Sequence, residues 1–217
     1  MKIVLVYKTG GDFDIEYVER LKQSLIGYDV VCLSDDQELI DRIPLQNEYT
    51  SHPSFKGWWS KMEMFRPDII DDDILYFDLD TVIIDDIYNE IQIMSRNKRP
   101  IMLSDFYFPE RLASGVMYVP KDVRSVIWNA WIDGSISHME SYRGDQEFIV
   151  QTIGHMCDRF DFLFPDMICS YKAHVIKEYP NHLDPLKIDP SKSKVICFHG
   201  KPRPKDVNFL KESVYFS

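Results

Sequence analysis

The sequence predicts an α/β fold: one domain spanning residues 1–217, with a mixed, mostly parallel sheet flanked by helices. Three observations carry this expectation. Short apolar runs rich in β-branched residues recur along the chain, as in "KIVLVY", "DVVCLS", "ILYF" and "KVICF". Segments with helical spacing separate several of them, and the first thirty-odd residues alone read strand, helix, strand, which is the sequence form of a βαβ unit. The 217 residues, 45% hydrophobic and 13% aromatic, suffice for one large core, and no repeat or Gly/Ser linker divides them.

Taken in order, "KIVLVY" (2–7) is a buried strand and "GGD" the turn after it. "FDIEYVERLKQSLIG" places Phe13, Tyr17, Leu21 and Leu25 four residues apart, a helical stripe with Asp12 as N-cap and Gly27 as stop. "DVVCLSDD" is the second strand. Residues 43–57 lose all periodicity and read as a surface loop. "WWSKMEMF" then predicts a helix with Trp58, Met62 and Phe65 on one face, ended by Pro67. "ILYF" is a strand that runs into Asp78 and Asp80. Further strands are expected at 100–104, 114–120 and 194–200, helices at 122–134 and 144–154, and a C-terminal arm at 206–217.

Composition excludes some functions. A net charge of −10 argues against general nucleic-acid binding, which needs a basic surface to neutralise phosphates. The four cysteines, Cys32, Cys157, Cys169 and Cys197, are dispersed, lack CxxC spacing and mostly sit in apolar runs, the pattern of free buried thiols. The apolar run near Met1 is too short for a signal peptide, and no stretch approaches the length of a transmembrane helix. A cytoplasmic location is the resulting expectation, with homo-oligomerisation left open.

The chemistry centres on "LYFDLDTVII" (75–84), where two carboxylates interrupt an apolar run. Desolvating one unpaired carboxylate is unfavourable and a second nearby aggravates it, so a positive charge is expected beside them. On a strand, residues i and i+2 share a face with Cβ atoms about 6.6 Å apart, so both acids can reach one hard cation. Oxygen ligands suit Mg²⁺ or Mn²⁺, and an added imidazole favours Mn²⁺. The flanking pattern, four apolar residues before the acids and an aliphatic run after, occurs in metal-dependent sugar transferases. It also matches the "DxDx(T/V)" motif of haloacid-dehalogenase-like phosphatases. Against the phosphatases, Asp78 lies far from the first strand, and "GDQEFIV" has Ile149 where their later motif needs an aspartate.

With "LYFDLDTVI", "SDF", "ASGVMYVP", "RGDQEF" and "FHGKPRP" in this order, and a helix containing Lys61 before them, the chain resembles the GT-A fold nucleotide-sugar glycosyltransferases, most nearly family 8, the glycogenin-like group. The resemblance implies Asp78, Asp80 and His199 as Mn²⁺ ligands, with Mg²⁺ as the alternative ion. It implies Lys61 as the cation facing the donor's phosphates or sugar, and Asp105 as the carboxylate for sugar hydroxyls. It further implies Ser114 and Gly115 as a tight strand start beside the donor, Asp145 and Gln146 as the pair nearest the reacting carbon, Lys8 and Thr9 as lining the nucleotide, and Gly200 and Lys201 as donor contacts after the ligand histidine. The partners implied are a nucleotide-sugar donor, UDP-glucose or UDP-galactose, and a hydroxyl acceptor of unknown identity, with retention of configuration. Two departures stand out. Ala113 replaces the Asn that usually precedes Ser-Gly, and "HGKPRP" places Lys201 two residues after His199 rather than six, which leaves either Lys201 or Arg203 to reach the diphosphate. These departures keep open a third reading, a nucleotide-sugar binder without turnover.

His52, His138, His155, His174 and His182 lack such a context and read as surface or core residues. "DIIDDD" (68–73) lacks the spacing of a calcium loop, Trp128 and Trp131 read as helix packing, and one of Trp58 and Trp59 belongs to the core.

Overall fold

The computed structural model describes residues 1–39, 41–44, 55 and 57–207. Residues 208–217 of the expected arm at 206–217 and most of the expected loop at 43–57, with His52, lie outside the described residues. Ten strands are present among the described residues: β1 (Lys2–Tyr7), β2 (Val30–Ser34), β3 (Arg42–Pro44), β4 (Ile74–Phe77), β5 (Thr81–Ile83), β6 (Ile101–Ser104), β7 (Leu112–Val119), β8 (Asp158–Arg159), β9 (Ile168–Ser170) and β10 (Val195–Cys197). The α-helices are α1 (Ile15–Ser24), α2 (Tyr88–Met94), α3 (Lys121–Ile132), α4 (Ser135–Ser141), α5 (Asp145–Ile153) and α6 (Phe160–Leu163).

Seven strands form one sheet in the order β3-β2-β1-β4-β7-β6-β8. It is parallel except where β7 pairs antiparallel with both β4 and β6, so the expected mixed, mostly parallel sheet is the observed one. Both faces are buried. One cluster, including Leu5, Tyr17, Leu21, Leu75 and Phe77, packs under α1, and the other, including Val4, Met62, Tyr76, Trp131 and Ile149, lies under α3 and α5. Apolar residues pointing both ways from one strand explain why "KIVLVY" and "ILYF" are continuous runs rather than alternating ones.

Two details position the site. Along the β6–β7 ladder, Met102 pairs with Met117 but Leu103 pairs with Ala113, so β7 bulges at residues 114–116. The expected tight strand start at Ser114 is therefore this bulge, inside a strand that begins at Leu112. The second device is a small sheet, β5-β10-β9, in which Cys197 on β10 opposes Thr81 on β5. The backbone N–H of Phe198 donates to the carbonyl of Asp80 at 3.3 Å. This pairing carries His199 across the chain to the acid pair.

Three expectations need correction. The segment 57–65 is a 3₁₀ helix, whose three residues per turn bring Trp59, Met62 and Phe65 into one buried row and leave Trp58 61% exposed. Helix α1 starts at Ile15, preceded by Asp14 rather than Asp12; the Asp14 carboxylate makes no cap hydrogen bond, and its Oδ2 pairs with Lys205 at 3.0 Å. Finally, β4 ends at Phe77, so Asp78 and Asp80 occupy the turn between β4 and β5 rather than one strand face.

Candidate active site

At the C-terminal end of β4 the chain turns through Asp78, Leu79 and Asp80, and the carbonyl of Gly115 on the β7 bulge accepts from the Asp78 N–H at 2.8 Å. Tyr76, two residues earlier on β4, donates its hydroxyl to Asp78 Oδ1 at 2.6 Å. A Cβ on Gly115 would stand 3.2 Å from Asp78 Oδ2, so a side chain there would push the carboxylate by a few tenths of an ångström.

Lys61 binds this carboxylate to another. Its ammonium lies 3.0 Å from Asp78 Oδ1 and 2.9 Å from Asp145 Oδ2, donates to Ser114 Oγ at 3.3 Å, and stands 5.0 Å over the Tyr76 ring. Burial by itself would lower the Lys61 pKa, but the charges and hydrogen bonds of Asp145 and Asp78 outweigh it and the net shift is upward. Asp145 and Gln146 open α5. Ser114 Oγ donates to Asp145 Oδ2 at 3.2 Å, and the Ser114 N–H to Gln146 Oε1 at 3.1 Å. Lys61 is therefore brought to the expected place, yet as the buried link between two acids.

Asp80 is buried, and burial first, then the nearby Asp78, raises its pKa, with Arg203 acting in the opposite direction. Arg203 Nη1 donates to Asp80 Oδ2, and the Gly200 N–H approaches the same oxygen at 3.4 Å. The positive charge expected beside the acid pair thus includes two side chains of the protein itself, Lys61 and Arg203. Lys201 is exposed, whereas Arg203 lines the cleft.

His199 lies on the wall of the same cavity as Asp78 and Asp80, with Asp105, Tyr107, Ala113, Gly115 and Gln146, and this cavity measures about 150 Å³. Its ring is turned to Ser170, with 2.5 Å between Nε2 and Oγ, and stacks near Phe106 at 5.6 Å. Burial and the neighbouring Lys172 push its pKa down to about 4, so it is neutral at pH 7, the state in which imidazole ligates metals. Among the described residues no three His, Cys, Asp or Glu side chains converge as a ready metal cluster. Asp105 is folded onto its own loop, accepting from the Tyr107 and Phe108 N–H groups at 2.8 and 3.1 Å.

A second, open cleft of about 490 Å³ meets this cavity at Asp78, Asp80 and Gln146. Lys8, Phe13, Trp58, Lys61, Asp145 and Arg203 are among its walls. Lys8 pairs with Asp35, and Thr9, exposed, donates its N–H to Asp35 Oδ1 at 2.8 Å. The crevice at the C-terminal ends of parallel strands is the usual ligand site of such sheets.

The structure superposes on solved structures with low sequence identity. The glycosyltransferase GlyE of Streptococcus pneumoniae TIGR4 matches with a TM-score of 0.63 and 14% identity, over 99% of this chain and 60% of GlyE. The galactosyltransferase LgtC, in complex with donor and acceptor sugar analogs, matches at 0.58 and 11% identity, over 100% of this chain and 95% of LgtC. The fold is that of solved glycosyltransferases. A glycosyltransferase involved in glycosylation of the major capsid of PBCV-1 is similar at 0.51 and 14% identity, over 99% and 98% of the two chains. The present chain spans about 60% of the length of GlyE. No family model and no curated protein matches the sequence.

Two contributors escaped the sequence reading. Tyr76 had a signal, since a residue two before Asp78 on a strand points to its side. Ser170 had none, because its meeting with His199 depends on the β9–β10 pairing.

Proposed function

We propose that the chain is a metal-dependent, family 8-like glycosyltransferase that moves a hexose from UDP-glucose or UDP-galactose to a hydroxyl acceptor with retention. The observation that carries this reading is the Asp78–Lys61–Asp145 link at the strand ends, which ties the acid pair to the start of α5 in a fold shared with glycosyltransferases. Charge supports the metal. The open cleft is lined by Asp12, Asp78, Asp80 and Asp145 against Lys8, Lys61 and Arg203, and Lys8 is already paired with Asp35. A diphosphate entering so acidic a cleft needs a further cation.

The donor set fits such an ion in type: two carboxylates and a neutral imidazole on one cavity wall. The contacts described above fall on Oδ1 of Asp78 and Oδ2 of Asp80, so each acid has a second oxygen to offer. Bound there, Mn²⁺ or Mg²⁺ supplies Lewis-acid stabilisation of charge growing on the leaving diphosphate. Arg203 adds a donor to the same developing charge. Asp145, fixed by Lys61 and Ser114, offers negative charge to a sugar becoming oxocarbenium-like, and Gln146 orients that sugar.

Incubation with UDP-[¹⁴C]glucose or UDP-[¹⁴C]galactose and Mn²⁺ is expected to release UDP, slowly with water and faster with an acceptor. Asp80→Asn should abolish the release while leaving the unfolding midpoint unchanged or higher, because ionised Asp80 is unfavourable in its buried site. A folded wild-type protein inert toward both donors, with and without Mn²⁺, overturns the reading. The arginine on Asp80 favours one second reading, a nucleotide-sugar binder without turnover, since the chain supplies part of the charge itself. Calorimetric binding of UDP and Mn²⁺ with no UDP release from either donor identifies it. The phosphatase reading has less support, as Asp78 follows β4 and its Oδ1 is engaged by both Lys61 and Tyr76.

A further inference from the structure

Of the four tryptophans, Trp59, Trp128 and Trp131 are at most 9% exposed, while Trp58 is 61% exposed on the rim of the open cleft. A scattered surface aromatic is unremarkable, but this one is built in place. Its indole rests on Gly144, where an added Cβ would stand 3.3 Å from Nε1 and 3.6 Å from Cδ1. Gly144 has an extended backbone that any residue adopts, so the contact with the indole is what a side chain there would disturb. Its other neighbour in sequence is Asp145, the first residue of α5. Trp58 also sits one turn of 3₁₀ helix before Lys61, which holds Asp145.

Position decides what the ring meets. The cleft also takes in the mouth of β1, with Lys8 and Phe13, and there Phe13 is already covered by the Arg203 guanidinium at 4.6 Å. The β1 end is where an open α/β sheet takes a nucleotide. Trp58 lies at the α5 end, beside Asp145, open to solvent rather than inside the smaller cavity of Asp105 and His199. An aromatic plate next to a carboxylate and an amide is suited to the apolar C–H face and the hydroxyls of a pyranose. We propose that Trp58 is the platform for the acceptor, and that the acceptor is a saccharide. This rests on the glycosyltransferase reading for its role, but binding can be read without turnover.

Because the other tryptophans are buried, acrylamide quenching of intrinsic fluorescence reports on Trp58. With the full chain loaded with Mn²⁺ and UDP, cellobiose, maltose and lactose are titrated as probes. At least one is expected to protect the fluorescence from acrylamide, and Trp58→Ala, which lacks the reporting indole and is therefore titrated by calorimetry, should lose binding of that sugar while leaving UDP affinity unchanged. Trp58→Phe should retain saccharide binding within about tenfold, the scale of one aromatic contact. Protection by UDP alone, or a fall in UDP affinity in Trp58→Ala, assigns the ring to the nucleotide and overturns the proposal. So does the absence of protection by all three sugars. If UDP and Mn²⁺ fail to bind the wild type, the glycosyltransferase reading falls, whereas saccharide protection of the metal-free protein still decides whether Trp58 is a sugar platform.

Discussion

At the scale of single residues, the site is held by one buried cation between two acids. Lys61 and Asp145 are each 9% exposed at the side chain, so removing the lysine leaves the Asp145 charge uncompensated, with the neutral Ser114 hydroxyl still donating to it. Lys61→Met is expected to destabilise the fold by about 3 kcal/mol in urea unfolding, and Lys61→Met with Asp145→Asn to recover part of it, because the uncompensated charge is then gone. If the single variant is as stable as the wild type, the link is a surface contact and the site is looser than described. His199 makes a different prediction. Its folded pKa of about 4 lies below the unfolded 6.5, so its contribution is full above pH 6.5 and is lost as pH falls toward 4. In chelator, the wild type should lose about 3 kcal/mol over that range from this residue, and His199→Gln should show a shallower decline. A residual slope is expected from His174, whose pKa is also lowered, by burial. Equal slopes in the two proteins would mean that His199 titrates normally.

At the scale of elements, the segment after β10 is laid onto the start of α1. Arg203 reaches Asp12 at 3.4 Å as well as Asp80, and Lys205 reaches Asp14 and lies 5.3 Å from the centre of the Tyr17 ring. These contacts are unequal. Lys205 and Asp14 are about half exposed, so Lys205→Ala should leave the unfolding midpoint almost unchanged. Arg203→Ala removes a charge-assisted bond at the acid pair and should raise the donor KM roughly tenfold, with Arg203→Lys between, since a lysine has no fork to span Asp80 and Asp12. Unchanged donor KM in Arg203→Ala would place the arginine outside the donor's reach. The sequence disclosed β1, β2, β4, β6 and β10, because strands buried on both faces are continuous apolar runs, and it disclosed α3 and α5 through helical spacing. It concealed β5, β8 and β9, which are two or three residues long and carry no period, and the β7 bulge, which is a register property of two strands. The acid pair, Lys61, Asp145 and His199 were legible as candidates. That Lys61 lies between two acids, and that His199 faces Ser170, were not, since both follow from long-range pairing.

At the scale of the whole molecule, the proposed reaction asks an acidic protein to accept an acidic ligand. The net charge of −10 repels a nucleotide diphosphate at long range, and the carboxylates of the open cleft repel it at short range. Salt screens the first far more than the second, because the Debye length falls from about 30 Å at 0.01 M to about 8 Å at 0.15 M while paired groups inside the cleft stay close. Without divalent ions, UDP affinity should therefore be weak and should rise with ionic strength as the repulsion is screened. With Mn²⁺ bound the charges of Asp78 and Asp80 are neutralised and those of Lys61 and Arg203 are left to act on the ligand, so affinity should increase strongly and then decline modestly with added salt. Calorimetric titration of UDP across that salt range, in chelator and in Mn²⁺, measures both slopes. A metal-free affinity that falls with salt would mean that Lys61 and Arg203 already make the cleft cationic to its ligand. The protein would then hold its donor without a metal, and the two aspartates would serve to orient those cations rather than to bind an ion.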